Sequence, residues 1–238
     1  MNIALIGYGR MGHEIESVAL ERGHKIMQII DIDNPGDMNP VSFKEIDAAI
    51  EFSSPDCALK NVIKCLEMKK PVVSGTTGWL KNVSQAEYLC IKNETSFIHS
   101  SNFSVGVNIF FKLNTMLAKT MDLHKGYIPE IEEIHHVKKL DAPSGTAISL
   151  AEKIREQHSG YEGWCTESSK AKNFIAVRSV REGTVTGTHT VVWNSEIDAI
   201  SLKHEAKNRK GFAFGAILAA EYIYLRKGVF TMDDVLGF

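Results

Sequence analysis

The opening residues restrict the fold more than any other stretch of the 238-residue chain. An apolar run, Ile3-Ala4-Leu5-Ile6, breaks into Gly7-Tyr8-Gly9-Arg10-Met11-Gly12, and a helical pattern with Ile15, Val18, Ala19 and Leu20 on one side follows. Strand, G-x-G-x-x-G, helix is the context in which a parallel α/β sheet binds a dinucleotide pyrophosphate. Gly7 permits the tight turn, Gly9 lets the backbone approach the phosphates, and Gly12 lets the helix pack on the sheet. Residues 25–30 form a second apolar strand ending at Asp31. That is roughly 20 residues beyond the fingerprint, where a carboxylate receives the adenosine ribose hydroxyls. Asp33 competes for this role. Ile32 stands where an arginine would favour a 2′-phosphate, so the expected cofactor is NADH or NADPH, with NADH modestly favoured.

The first hundred residues continue in the same style. Residues 34–46 are rich in Pro and Asn and leave little room for a crossover helix. A third strand over 47–52 runs into Ser53-Ser54-Pro55 and a helix carrying Ala58, Leu59, Val62, Ile63 and Leu66. Val72-Val73-Ser74-Gly75-Thr76-Thr77-Gly78-Trp79 reads as a strand ending in a loop, at the carboxyl edge where open α/β sheets bind ligands. A helix around residues 85–92 and a short strand over 96–99 lead to Ser100-Ser101-Asn102-Phe103.

The pattern then changes. An amphipathic helix over 106–121 precedes a strand over 127–137, a helix over 145–157 and an irregular polar segment over 157–173. Strand-like runs follow at 174–180, 188–194 and 196–204. Strands in succession imply a mixed or antiparallel sheet of about four, distinct from the first half. The expected fold is therefore α/β. A Rossmann-type dinucleotide-binding domain (1–103, completed by a C-terminal helical region, 212–238) accompanies an α+β substrate and oligomerisation domain (104–211).

Composition removes several function classes. A formal charge of −2 gives no electrostatic case for nucleic acid or an anionic membrane. No apolar run approaches the ~18 residues that span a bilayer. The N-terminus has no basic leader, and the expected location is the cytoplasm. Cys57, Cys65, Cys90 and Cys165 show no CxxC spacing, so neither a metal site nor a disulfide framework is expected. Cys57 and Cys65 read as small buried residues of one helix.

The densest chemistry lies at residues 134–147. Two histidines, two lysines and an aspartate precede Pro143-Ser144-Gly145-Thr146 and an apolar-periodic run. Ser144 is a plausible N-cap. The unpartnered N–H groups of such a helix start suit a carboxylate, and Gly145 lets a ligand approach them. Cations beside it make a site for an anionic substrate with proton donors at hand.

Glu133-Ile134-His135-His136-Val137-Lys138-Lys139-Leu140-Asp141-Ala142-Pro143-Ser144-Gly145-Thr146-Ala147 resembles the signature of the dihydrodipicolinate reductase family. The glycine fingerprint, the Ser53-Ser54-Pro55 loop, the Gly75-Thr76-Thr77-Gly78 loop and the Gly187-Thr188-His189-Thr190 run carry the resemblance through most of the chain. It implies reduction by NAD(P)H of a cyclic unsaturated dicarboxylate in lysine and diaminopimelate synthesis. A hydride is added to a C=C–C=N ring and the neighbouring carbon is protonated. It further implies Lys139 as the acid with His135 as its partner, and His136, Gly145 and Thr146 as contacts of the substrate carboxylates. Gly7, Tyr8, Gly9, Arg10, Met11, Gly12 and Asp31, with Gly75, Thr76, Thr77, Ser100, Ser101, Asn102 and Phe103, become the cofactor contacts. The family commonly forms tetramers through the second sheet.

From the residues alone, Lys138 could exchange roles with Lys139, although alternation along an extended segment puts the two on opposite sides. Asp141 could pair with a lysine or orient a histidine, but reads first as a turn former before Ala-Pro. His189 and Arg209 are left out of the catalytic set. Two other classes share parts of the pattern. An amino-dicarboxylate dehydrogenase, such as aspartate dehydrogenase, would carry the glycine fingerprint without the His-His-x-x-Lys and Asp-Ala-Pro-Ser-Gly-Thr elements. A non-catalytic dinucleotide sensor would dispense with the paired His and Lys.

Overall fold

The computed structural model describes residues 1–166 and 173–238. Two compact units divide the chain: Met1–Val105 with Arg209–Phe238, and Gly106–Asn208.

In chain order the first unit begins with β1 (Asn2–Ile6), α1 (Arg10–Glu21), β2 (Lys25–Ile30), β3 (Ala48–Glu51), α2 (Pro55–Glu67), β4 (Val72–Ser74), α3 (Val83–Lys92) and β5 (Ser96–His99). The second is built from α4 (Val105–Met121), β6 (Ile128–His135), α5 (Gly145–Gln157), β7 (Gly163–Thr166), β8 (Phe174–Arg181), β9 (Thr188–Asn194) and β10 (Ala199–Glu205). The chain then completes the first unit with α6 (Lys210–Ile223), β11 (Gly228–Phe230) and α7 (Met232–Leu236).

The first unit holds a six-stranded, wholly parallel sheet ordered β11-β5-β4-β3-β1-β2. Its central strands β1, β3, β4 and β5 are buried on both faces, which is why they read as continuous apolar runs. Alternation along β1 sends Ile3 and Leu5 to one core, with α1 and α6, and Ala4 and Ile6 to the other, with α2 and α3. The order reverses between β1 and β3, and such a switch point opens a ligand crevice at the carboxyl ends of the strands.

Residues 34–46 contain no crossover helix. A 3₁₀ turn (Pro35–Asp37) leads into a loop whose Met38, Phe43 and Ile46 fill the sheet face in its place. Asn34 and Asn39 satisfy the loop backbone, and Lys70 Nζ donates to the carbonyls of Lys44 and Ile46.

In α6 the small residues Ala213, Gly215, Ala216, Ala219 and Ala220 are buried. A Cβ on Gly215 would lie 1.7 Å from the Phe103 carbonyl oxygen, so only glycine allows that approach. The helix ends at Ile223, where Tyr224 turns extended and Leu225 takes φ +64°, so the expected helical region over 212–238 is interrupted. Beyond it, β11 adds a parallel strand to β5, and α7 is closed by a reciprocal Thr231–Asp234 capping box.

The second unit has a mixed sheet of five strands, ordered β10-β9-β6-β8-β7, rather than the expected four. The additional strand, β7, pairs parallel with β8 inside the segment read as irregular. Its sequence, Gly-Trp-Cys-Thr, is too short to show a period. The rest of that segment, residues 167–172, lies outside the described residues. β10 begins at Ala199 rather than 196 because Ser195 and Asp198 close a turn by main-chain and hydroxyl hydrogen bonds. Helices α4 and α5 cover one sheet face around Phe110, Ile131, Leu150, Ile154, Val191 and Trp193. Among the described residues no helix is long and apolar enough to cross a membrane.

Candidate active site

The first unit contains a cleft of about 500 Å³ at the β1/β3 switch point, lined among others by Gly7, Gly9, Asp31, Ser53, Cys57 and Lys60. Gly7 takes φ +90°, and a Cβ there would lie 2.2 Å from the Phe52 carbonyl oxygen. A Cβ on Gly12 would come within 2.6 Å of the Gly7 carbonyl oxygen, so these two glycines let the turn close upon itself. Gly9 has open space where its side chain would be, and it precedes α1 without a side-chain cap or an acid in the first turn. The start of α1 is thus left free for an anion, and the residues fit a dinucleotide pyrophosphate. The Tyr8 ring lies tilted against that of His13 with centroids 4.0 Å apart, and its hydroxyl bonds to Glu16. Arg10 is exposed, and Met11 packs partly into the core.

Asp31 follows β2 directly and lines the cleft, while Ile32 is 86% exposed. One Asp31 carboxylate oxygen accepts the Ile32 amide at 2.9 Å. The basic group on this wall is Lys60 of α2, which the sequence did not single out. Cys57 is exposed and lines the same cleft, contrary to the expectation of a buried residue, because it lies in the first turn of α2. Cys65, two turns further on, is buried, and burial pushes its thiol pKa up.

Three loops after β3, β4 and β5 are joined by Phe52 and Glu51. Gly75 is required by Phe52: a Cβ on it would lie 2.1 Å from that ring. The Phe52 ring also lies 6.0 Å from that of Phe103, which is itself buried, so Phe103 offers an approaching cofactor only its backbone. Glu51 is fully buried at the end of β3. Its Oε1 accepts the Ser53 amide at 3.0 Å, the Thr76 hydroxyl at 2.8 Å and the Ser53 hydroxyl, and its Oε2 accepts the Ser74 hydroxyl at 2.6 Å. The Thr76 hydroxyl is therefore committed to the protein, and Thr77 is the exposed member of the pair. In the third loop, the Ser100 hydroxyl and the Asn102 amide side chain satisfy local backbone groups. Ser101 is exposed.

In the second unit, alternation along β6 places Glu133 and His135 on one face, both buried. The chain then turns. His136 and Val137 donate their amides to the carbonyls of Val185 and Gly183, and Glu182 donates to that of His135. Lys138 is exposed, whereas Lys139 is half-buried with Nζ 2.8 and 2.9 Å from the two Asp141 carboxylate oxygens. That pairing holds the Asp141 carboxyl below its ordinary range, and of the roles open to Asp141 the structure shows the lysine pair beside the preferred turn. Arg181 ties the turn to β8 by donating to the carbonyls of Lys139 and Asp141. A cis Ala142–Pro143 bond leads to Ser144, whose hydroxyl caps α5 by accepting the Ala147 amide at 3.3 Å. Gly145 is exposed with open space at its Cβ position, and Thr146 is half-buried beside it.

Glu133 is the hub of this cluster. Its Oε1 accepts the Ser144 amide at 3.0 Å and the Ser179 hydroxyl at 2.7 Å, with Arg181 at 3.4 Å. Burial opposes its ionisation, but donors from His189, Ser144 and Ser179 outweigh this and hold it well below the usual carboxylate range. For His135, burial is the largest cause of a pKa lowered to about 4; His189, Lys139 and Arg181 add to it and Glu133 opposes it. Glu133, Ser179 and Arg181 were not picked out from the sequence. The signal for Glu133 was its spacing, two residues before His135 in a strand.

A parallel dinucleotide-binding sheet with a glycine fingerprint, followed by a mixed-sheet unit carrying a buried His–Glu cluster and a lysine, defines the class of two-domain nicotinamide-dependent reductases. The chain belongs to the dihydrodipicolinate reductase family: residues 1–103 match the model for its N-terminus and 106–236 the model for its C-terminus. It is 49% identical over 237 residues to the 4-hydroxy-tetrahydrodipicolinate reductase of Christiangramia forsetii, covering 100% of this chain and 98% of that one. To the enzyme of the same name from Archaeoglobus fulgidus it is 35% identical, covering 99% and 100%. The fold is similar to that of dipicolinate-bound dihydrodipicolinate reductase from Paenisporosarcina sp. TG-14, with TM-score 0.80, 22% identity and 97% of each chain covered.

Proposed function

We propose that the protein is a 4-hydroxy-tetrahydrodipicolinate reductase that converts its cyclic dicarboxylate substrate to tetrahydrodipicolinate at the expense of NADH or NADPH. The observation that carries the reading is the conformation of residues 133–147. This one segment offers a buried histidine, a half-buried lysine and an accessible helix start in a single turn of chain. Those are the groups that a dianionic ring requires when it must be held and then protonated.

A bound nicotinamide supplies the hydride. The first unit's own residues hold the dinucleotide: the start of α1 at Gly9–Met11 takes the pyrophosphate, Asp31 the ribose, and the loops at Gly75–Thr77 and Ser100–Phe103 present backbone to the nicotinamide end. The N–H groups at Gly145 and Thr146, with the Thr146 hydroxyl and His136, receive the substrate carboxylates. Lys139 gives its Nζ proton to the carbon next to the reduced position, and His135 assists by holding or replacing that proton. A carboxylate at Asp31, with Ile32 beyond it, supports a modest preference for NADH, tempered by Lys60 in the same cleft. Assembly into tetramers through the second sheet is part of the same proposal.

The test supplies the product of dihydrodipicolinate synthase and follows NADH and NADPH consumption separately. Oxidation dependent on that substrate is expected. Turnover of oxaloacetate with ammonia instead would replace the reading with aspartate dehydrogenase. Tight dinucleotide binding with no turnover of either substrate would mark a sensor.

A further inference from the structure

Beyond the lysine and histidine assigned above, the second unit contains a buried group that the reaction as described does not use. Glu133 Oε1 is occupied by the Ser144 amide, the Ser179 hydroxyl and the Arg181 guanidinium. Its other oxygen, Oε2, shares the Ser144 amide at 3.2 Å and faces two imidazoles, with His135 Nδ1 at 3.4 Å and His189 Nε2 at 3.6 Å. The two rings meet edge to face with centroids 5.0 Å apart. His189 Nε2 is also 3.2 Å from the Ser144 hydroxyl, so it has a second partner on the helix cap. His135 Nδ1 is buried without a hydrogen-bond partner, which leaves Glu133 Oε2 as the acceptor aimed at it. On the other edge of the ring, a Cβ on Gly187 would come to 3.1 Å from His135 Nε2, so glycine there leaves that nitrogen uncrowded.

We propose that Glu133 is the positioning residue of the reaction. It directs the Nδ1–H of His135 inward and so leaves Nε2 as the basic nitrogen available to Lys139 and the substrate, while His189 competes for the same carboxylate oxygen. A carboxylate that orients an imidazole fixes both its tautomer and its basicity. The two imidazoles meet at one oxygen, and a charge on the His189 ring disfavours a proton on His135.

A cation site is the rival account, since Glu133, His135 and His189 offer three ligand atoms within 4.8 Å of one another. The donors around Oε1 argue against it. An arginine 3.4 Å from the carboxylate would repel a metal ion, and the amide and hydroxyl have already taken the lone pairs that a bidentate carboxylate would offer.

The inference rests on the reductase reading, and its test has one readout inside that activity and one outside it. In the whole enzyme, Glu133→Gln keeps an acceptor for Ser144 and Ser179 but loses the charge. We expect kcat to fall about 10- to 100-fold with NADH affinity unchanged, and the acidic limb of the kcat–pH profile to move to lower pH. Glu133→Asp should restore part of kcat. His189→Gln, which leaves His135 as the one imidazole facing Oε2, should move the same limb the other way. Opposite displacements in these two variants are not produced by a general loosening of the fold. ¹⁵N spectra of the imidazoles in the unmodified protein should show His135 protonated at Nδ1, whether or not turnover is detected. An Nε2–H tautomer, an unmoved limb in His189→Gln, or an unchanged kcat in Glu133→Gln would each overturn the proposal. So would stoichiometric metal in the purified enzyme with activity lost to a chelator. If Glu133→Gln does not fold, the His189→Gln profile and the wild-type tautomer still decide.

Discussion

Lys139 and Asp141 form a two-point ion pair, with Nζ 2.8 and 2.9 Å from the carboxylate oxygens, and Arg181 holds the backbone carbonyls of both residues. The pair presents the lysine on a rigid turn while leaving most of Asp141 exposed. If Lys139 delivers the proton, Lys139→Ala should lower kcat by ~10²–10⁴-fold, the usual effect of losing a positioned acid. Lys138→Ala, at an exposed position, should stay within a few-fold of wild type. A loss of kcat in Lys138→Ala with Lys139→Ala unimpaired would reverse the assignment. Asp141→Asn should cost less than ~1 kcal/mol of stability, because an exposed partner contributes little, and its mark should be on kcat.

Glu51 makes a separable prediction for the cofactor. Its carboxylate gathers hydroxyls or amides from the loops after β3 and β4, and nothing it binds lies in the second unit. Glu51→Ala leaves those donors without their acceptor in a buried site, which costs about 1–3 kcal/mol for each unsatisfied group. NADH affinity, read by fluorescence titration, should weaken about tenfold or more, while the His135 limb of the pH profile stays in place. Wild-type affinity in a folded Glu51→Ala would show that the loops hold their shape without it.

The proposed cofactor preference rests on Asp31 and Lys60, which line one cleft. A carboxylate near a 2′-phosphate should disfavour NADPH by ~1–2 kcal/mol, about tenfold in affinity. Asp31→Ala should therefore narrow the NADH preference, and Lys60→Ala should widen it by weakening NADPH. Comparing Kd for the two cofactors in both variants checks the pair. A strong NADPH preference in the unmodified enzyme would mean that Lys60 or Arg10 outweighs the aspartate.

The parts of this molecule that could be read from sequence are those in which one local pattern decides the structure. Apolar runs buried on both faces gave the parallel strands, the glycine fingerprint gave the first turn, and Ser144 gave a helix start. What escaped depends on residues distant in sequence meeting in space. Glu51 closes an apolar strand, and its partners Ser74 and Thr76 lie some twenty residues on. Arg181 read as lying just past the strand over 174–180, yet it ends β8 and grips the turn at Lys139 and Asp141. β7 and β11 are too short for a period to show, and their existence follows from the strands they pair with. Cys57 and Cys65 share a helix, but Cys57 lies in its first turn, open to the cleft, while Cys65 lies two turns further on in the core.

The loop that replaces a crossover helix is expected to be rigid and to bear on stability. Phe43 is fully buried among Ile30, Ile46, Val62 and their neighbours. Truncating it leaves a large cavity, so Phe43→Ala should cost ~3–5 kcal/mol. Denaturant unfolding followed by far-UV circular dichroism measures this, and a cost below ~1 kcal/mol would show that the loop packs weakly on the sheet.

The last prediction concerns acid. His135 takes a proton near 6.5 when free of its surroundings, but burial first, then His189, lowers this to about 4 in the folded chain. Between those values the unfolded chain binds more protons than the folded one, so stability falls as pH falls, by up to ~1.4 kcal/mol per pH unit. Glu133 works in the same direction but lower down. Its folded pKa lies below the free value of 4.5, so the stability it contributes is complete above that value and is lost as pH drops beneath it. Burial also lowers His158 and His204 in the same unit, and these add to the histidine window. The expected result is a Tm that declines on going from pH 7 to pH 5, well before carboxylate titration begins. His135→Gln removes one titrating group and should flatten that decline, leaving the steeper loss below about pH 4.5 in place. If the slope between pH 7 and pH 5 is the same in His135→Gln as in the unmodified protein, then His135 titrates alike in both states. Its imidazole would then be held open to water rather than enclosed beside Glu133.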